Sequence, residues 1–435
     1  MKVGVVVQRY GADISAGSEL HARYIAEHLS RHADVRVLTT CARDHLTWRN
    51  ELPAGEEIVN GIPVERFPVA RERHLPEFTR TSSVVFDRMH SWNDELAWLD
   101  SEGPVCPALV TRLKGSEFDY VLFFTLRYYT ACLGALAARN RAVLVPTAER
   151  EPSSGLALLQ TALRSARAVM YNSPEERALL QALSGNHAVP GDVVGVGSEI
   201  ARDIDPERFR ARFGIEEPFI LYVGRIDENK GCRELFRSFT AFTHTSPTTL
   251  RLLLIGTPAM DIPANARITH LGRVTDQEKF DALAAAEALV MPSPYESLSM
   301  VLLEAWAVET PVLVNAQCDV LLGQCLRSRG GLYYANAVEF AAALETLVAD
   351  PGLRERLGAN GRRYFERHYA WPVIEQKYMD MFSRLNSEPA GGQSTTAAAG
   401  PSWWRRRRRV LPPAAAVVAA APSGPVVDIA AEATA

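Results

Sequence analysis

Two glutamates, Glu296 and Glu304, stand with seven residues between them, in a stretch that should place both beside the start of one helix. The apolar run Ala288–Met291 is stopped by Pro292 and Pro294, so it reads as a short buried strand ending in a tight loop. Ser297 suits an N-cap, and Leu298, Val301, Leu302, Ala305 and Val308 recur at helical spacing, predicting a helix that begins near Leu298. Thr310-Pro311 ends it, and Val312–Val314 reads as a strand of a parallel sheet. Glu296 then lies at the C-terminal edge of a strand, where open α/β sheets bind ligands. Glu304 falls on the border of the apolar stripe, roughly 9 Å along the axis at about 1.5 Å per residue. Between them the helix start, Ser297-Leu298-Ser299, offers free N–H groups and a positive dipole end to an anion. A ligand with phosphate in its middle and hydroxyls at both ends fits, and a nucleotide-sugar has that layout. On spacing alone, an ordinary surface pair flanking an amphipathic helix is the better account of the two acids.

The whole phrase is more specific than its spacing. Glu296-Ser-Leu-Ser299, Leu303-Glu-Ala-Trp-Ala307 and Thr310-Pro-Val312 together resemble the Glu-x7-Glu signature of retaining glycosyltransferases of family four, also called group 1 glycosyltransferases. The resemblance covers residues 1 to about 385 and implies the GT-B fold, an α/β architecture of two Rossmann-like doubly wound domains facing a cleft. It implies transfer of a hexosyl group from a nucleotide-sugar to an acceptor hydroxyl with retention at the anomeric carbon, in glycan or polysaccharide biosynthesis. The donor would be UDP- or GDP-type, with no metal and no further cofactor, and the leaving phosphate would take the acceptor proton. The acceptor would be a carbohydrate or lipid-linked molecule.

The same resemblance extends to the loop Gly224-Arg225-Ile-Asp-Glu-Asn-Lys230-Gly231, which matches the family's Gly-Arg…Lys-Gly pattern. Arg225 and Lys230 would neutralise the leaving pyrophosphate between a strand end and a helix start. Solvated loop bases are the bland alternative. Val274 follows another strand, where the family holds the nucleotide base through backbone contacts, so the identity of the base is not legible. Glu296 is expected on the donor sugar and Glu304 on the ribose hydroxyls.

The first half opens with strand Val3–Val7, a loop from Gln8 to Leu20, the helical stripe Leu20, Tyr24, Ile25 and Leu29, and strand Val35–Thr39, a βαβ start. The loop has no G-x-G-x-x-G, which argues against a dinucleotide-dependent dehydrogenase. Where the family has Gly-Gly-x-Glu, this chain has Ala16-Gly17-Ser18-Glu19, leaving Gly17 for close backbone approach to donor phosphate or acceptor. A plain helix start explains Gly17 equally. Cys41 to Glu57 reads as a polar loop and Gly61–Arg66 as a strand; Leu75 to Leu99 reads as helices whose aromatics, Phe78, Phe86, Trp92 and Trp98, are mostly core. Strands are expected at Phe118–Thr125, Ala142–Pro146, Ala168–Asn172 and Val193–Gly197, with a helix from Pro174 to Leu183. After Thr147-Ala148 close relatives carry a histidine that reaches the donor sugar, and here Glu149 holds that position. A carboxylate is anionic and accepts only, where an imidazole can donate. A nucleotide-sugar epimerase of the same fold stays open as one alternative, and Glu149 and Ala16 suggest another, a catalytically impaired nucleotide-sugar-binding scaffold.

At 435 residues, about two domains are expected. The composition is globular, 47% hydrophobic and 23% charged, and a net charge of −4 gives no case for a nucleic-acid partner. Six scattered cysteines without a C-x-x-C pair read as reduced buried thiols. The N-terminus runs straight into a strand and no apolar run approaches bilayer length, so a soluble, cytoplasmic protein is expected. The expected parts are an acceptor domain over 1–197, a donor domain over 198–365, a helix crossing back over 366–385, and an Ala/Pro-rich disordered tail over 386–435. Within the tail, Trp403-Trp404 beside five arginines to Arg409 suits weak contact with an anionic membrane at its inner face, or a solvated charge run.

Overall fold

The computed structural model describes residues 1–14, 17–115 and 117–388. Ala16 and the cluster Trp403–Arg409 lie outside the described residues. The described residues divide into two compact units: Met1–Val196 with residues 374–388, and Gly197–Val373.

The first unit is built on an eight-stranded sheet whose strands are β1 Lys2–Val6, β2 Asp34–Thr40, β3 Gly55–Val59, β4 Ile62–Phe67, β5 Tyr120–Phe124, β6 Ala142–Val145, β7 Ala168–Tyr171 and β8 Gly191–Val193. Their order is β3-β4-β2-β1-β5-β6-β7-β8, all parallel except β3 against β4. Strands β5, β6 and β7 are buried at every position, as central strands covered on both faces must be. β3 corrects the reading of its stretch as loop. It is an exposed edge strand with no buried face, so it leaves no apolar alternation in the sequence. Its signal is the pair Asn60-Gly61, both at positive φ (51° and 81°), which closes a two-residue hairpin to β4. β8 is also shorter and earlier than expected, ending before Gly195.

The helix Trp371–Ser387 runs past Leu385, and its part from Ile374 belongs to the first unit. There Tyr378, Met381, Phe382 and Leu385 are buried, and the Phe382 ring stacks on Tyr120 with centroids 5.2 Å apart. Arg167 donates to the carbonyls of Leu385 and Glu388 at 2.6 Å each. At the other end of the segment, Glu375 accepts from His28 Nδ1 at 2.6 Å and His32 Nε2 at 2.7 Å, tying it to the end of the helix Gly17–Leu29.

The second unit has a six-stranded parallel sheet: β9 Phe219–Val223, β10 Arg251–Ile255, β11 Ile268–Gly272, β12 Ala288–Met291, β13 Val312–Asn315 and β14 Gly331–Tyr334. The order is β11-β10-β9-β12-β13-β14, so the connections reverse direction between β9 and β12. Loops leaving the C-terminal ends of those two strands flank the topological switch point, where doubly wound sheets bind ligands. Cys318–Gln324, read as sheet edge, is instead the start of the helix Asp319–Ser328, whose buried Val320, Leu321, Gln324, Cys325 and Ser328 recur at helical spacing. Trp306 anchors the helix after β12: it is fully buried and donates through Nε1 to Gly330 O at 2.9 Å.

Candidate functional site

The loop after β9 is held from within. Tyr222 Oη donates to Arg225 O at 2.7 Å, and Asp227 accepts from the Lys230 N–H at 2.8 Å while pairing with the Arg225 guanidinium. Gly231, at φ +74°, caps the helix Cys232–Thr245. A Cβ there would lie 2.3 Å from Pro292 O, so only glycine lets this loop pack on the exit of β12. That packing brings together two expected site residues: Lys230 Nζ donates to Glu296 Oε1 at 2.7 Å. Glu296 is largely buried and Lys230 only one-third exposed, so the pair is partly shielded from screening solvent. Arg225, half exposed, points from the same loop. Gly224 has φ +152°, and its carbonyl stands 1.9 Å from where a Cβ on Gly256 would be, so the exits of β9 and β10 meet backbone to backbone.

The helix after Glu296 departs from expectation at both ends. It spans Met300–Ala307, and its N-cap is Ser299 rather than Ser297, with the Ser299 side chain accepting from Leu302 N–H. Ser297 and Ser299 are both buried in the turn before it, with Leu298 half-buried between them. Glu304 is therefore one turn into the helix, roughly 6 Å along the axis at about 1.5 Å per residue. It is not on the border of a stripe but buried, 5% exposed, and its Oε1 accepts from Lys279 Nζ at 2.8 Å. Lys279 also approaches Asp276 at 3.4 Å and lies over the Phe280 ring. Burial pushes the Glu304 carboxyl up, against the pull of Lys279. Burial works against the Lys279 ammonium too, but Glu304 and Asp276 outweigh it and hold its pKa above the ordinary value. Lys279 was missed in the sequence because nothing in its neighbourhood marks it apart from an ordinary helix-surface lysine. Val274 is half-buried in the loop just before Thr275, which caps Lys279's helix, Asp276–Ala285.

Gly17 and Glu149 belong to the first unit and the other expected residues to the second. Gly17 is the first residue of its helix, and a Cβ there would meet nothing within 4 Å, so the fold itself does not require glycine at that point. Glu149 leaves β6 after Thr147, which is held at φ +49°. The Glu149 carbonyl accepts from Glu151 N–H at 2.8 Å and Ser154 Oγ at 2.9 Å. A residue not anticipated, Glu176, organises this loop: its two oxygens accept from Ala148 N–H and Asn172 N–H, each at 2.6 Å. Burial pushes the Glu176 pKa up to about 8, and the charge of Glu149 adds to the shift. The sequence signal was Ser173-Pro-Glu-Glu176, a capping-box spacing whose glutamate here reaches back to the exits of β6 and β7.

Among the described residues no group of three or more His, Cys, Asp or Glu could hold a metal ion, and no helix is long and apolar enough to cross a membrane. Residues 203–364 match the family described as glycosyl transferases group 1. The D-inositol 3-phosphate glycosyltransferase of Rhodococcus jostii is 28% identical over 258 residues, and the chain spans only 56% of that relative's length, using 54% of its own. Among solved structures, sucrose-phosphate synthase from Thermosynechococcus elongatus superposes with a TM-score of 0.64 at 18% identity, over 88% of this chain and 99% of that one. HepE of Anabaena in complex with UDP-glucose does so with a TM-score of 0.62 at 17% identity, over 88% and 100%. The fold is GT-B. The matched segment carries Arg225, Lys230, Lys279, Glu296 and Glu304.

Proposed function

We propose that this chain is a retaining glycosyltransferase that moves a sugar from a UDP- or GDP-type nucleotide-sugar to a carbohydrate or lipid-linked acceptor. The observation that carries this reading is the pair of glutamates at the switch point of the second sheet, each with one oxygen held by a lysine, inside the group 1 segment. In this reading the diphosphate lies against the start of the helix Met300–Ala307, with Lys230 and Arg225 neutralising the charge that builds on it as the bond to the anomeric carbon breaks. The acceptor oxygen bonds to the same face of that carbon, and its proton passes to the departing phosphate. Cations of the protein thus take the place of a metal. Glu296 accepts from sugar hydroxyls, Glu304 from ribose hydroxyls, Val274 borders the base, and Gly17 and Glu149 serve the first unit's side of the reaction. The UDP-glucose held by HepE supports the UDP type. A cytoplasmic site of action, with the Trp403–Arg409 segment touching an anionic membrane, belongs to the same reading.

Incubation with each UDP- and GDP-sugar, with and without an acceptor mixture, tests it by NMR of the products. A new glycoside of the donor's anomeric configuration is expected. An epimerised sugar formed from donor alone makes the chain an epimerase; donor binding with no product makes it a binding scaffold.

A further inference from the structure

We infer that Lys279 is a positioning residue for the ribose of the donor nucleotide, holding Oε1 of Glu304 so that Oε2 faces the ribose hydroxyls. The inference rests on the proposed donor site and deepens it. Three observations carry it. First, Lys279 Nζ sits 2.8 Å from Glu304 Oε1, and no group among the described residues hydrogen-bonds Oε2. One oxygen is committed and the other retains its acceptor capacity, which is what binding a hydroxyl requires. Second, the arrangement repeats that at the other end of the helix start, where Lys230 takes Oε1 of Glu296 at 2.7 Å. The two acids of the Glu-x7-Glu pair thus each have a lysine supplied by a different βα connection of the same sheet, Lys230 by the loop after β9 and Lys279 by the helix after β11. Third, Lys279 lies one turn after Thr275, so the helix that carries it starts from the very loop that holds Val274. A lysine on that helix couples the carboxylate that would face the ribose to the loop that would face the base.

A buried ion pair by itself is poor grounds for a stability role, because desolvating both charges offsets their attraction. With Glu304 and Lys279 side chains 7% and 18% exposed, a hydrophobic pair would fill the space as well. What an apolar pair cannot do is keep a carboxylate oriented toward a hydroxyl.

The test compares binding of UDP and of 2′,3′-dideoxy-UDP, which lacks both ribose hydroxyls, to wild type, Lys279→Met and Lys279→Arg, with melting curves to establish folding. GDP and its dideoxy analogue replace them if the chain prefers guanine. Wild type should prefer the ribonucleotide by about tenfold, the scale of one or two hydrogen bonds to a charged group. In Lys279→Met that preference should collapse to within about threefold while affinity for the dideoxy nucleotide stays put, and Lys279→Arg should recover most of it. Equal loss for both nucleotides would make Lys279 a structural residue and overturn the inference, as would a preference that survives Lys279→Met. If Lys279→Met does not fold, Lys279→Gln is read the same way. Wild type binding neither ribonucleotide would overturn the donor-site reading itself, a result distinct from the other two.

Discussion

Glu176 shows what a single buried side chain can impose. Its pKa in the folded chain is about 8, against 4.5 as the ordinary value, so the folded protein holds a proton there that the unfolded chain releases. A group that binds its proton more tightly when folded contributes stability at the acid end of that window, and the contribution is lost as pH rises from about 4.5 through about 8. The first unit should therefore melt several degrees lower at pH 8.5 than at pH 5.5. Glu176→Gln, which cannot ionise, should flatten that dependence, as read by calorimetry across the range. A slope unchanged in the variant would remove Glu176 from the account. Residue-scale legibility was uneven. Arg225, Lys230, Glu296 and Glu304 were legible because a motif binds their types to fixed spacings, and the structure brings Lys230 to Glu296. Lys279 and Glu176 were not, because each acts across the fold on a partner 25 or 28 residues away, a relation no local spacing records.

At the scale of elements, the central strands and their order of appearance were legible from buried runs, while ends and edges were not. The N-cap moved from Ser297 to Ser299 because two serines compete for the same role, and only geometry decides which hydroxyl reaches an N–H. β3 stayed hidden because an exposed edge strand needs no apolar face. The contact of Gly231 with Pro292 is what joins the loops after β9 and β12, and Gly231→Ala meets both a carbonyl at 2.3 Å and a positive φ. That variant should lower the melting temperature and cost at least about tenfold in donor affinity, since it moves Lys230 off Glu296. Retained affinity would mean that the two loops need not touch. In the first unit, burial raises the Glu375 pKa, but hydrogen bonds from His32 and His28 outweigh it and hold it below the ordinary value. Its contribution is present above pH 4.5 and lost as pH falls through the folded value. At neutral pH, Glu375→Gln should speed amide hydrogen exchange over 374–387, and the difference from wild type should vanish in acid. Equal exchange in both proteins at neutral pH would show that the helix is secured without Glu375, by its buried side chains and the contacts of Tyr120 and Arg167.

At the scale of the whole chain, packing among the described residues continues past the Leu385 boundary expected from sequence: Tyr120 donates to Asn386 Oδ1 at 2.8 Å, and Arg167 to Glu388 O. A chain ending at Glu388 should keep the melting temperature and activity on soluble acceptors, whereas one ending at Leu385 should melt lower. Anionic vesicles should bind the full chain and not the one ending at Glu388. Binding that survives would move the membrane contact off Trp403–Arg409. The central claim is that the second unit holds the diphosphate of a nucleotide-sugar between Lys230, Arg225 and the start of the helix Met300–Ala307. Calorimetric titration of the full chain with UDP-, GDP- and ADP-sugars tests it most directly, beside Lys230→Ala and Arg225→Ala. One donor type should bind. Lys230→Ala should weaken it by about 1.5–3 kcal/mol, the range for a charge-assisted contact, and the more exposed Arg225→Ala by less. Binding of no nucleotide-sugar, or wild-type affinity in both variants, would contradict it.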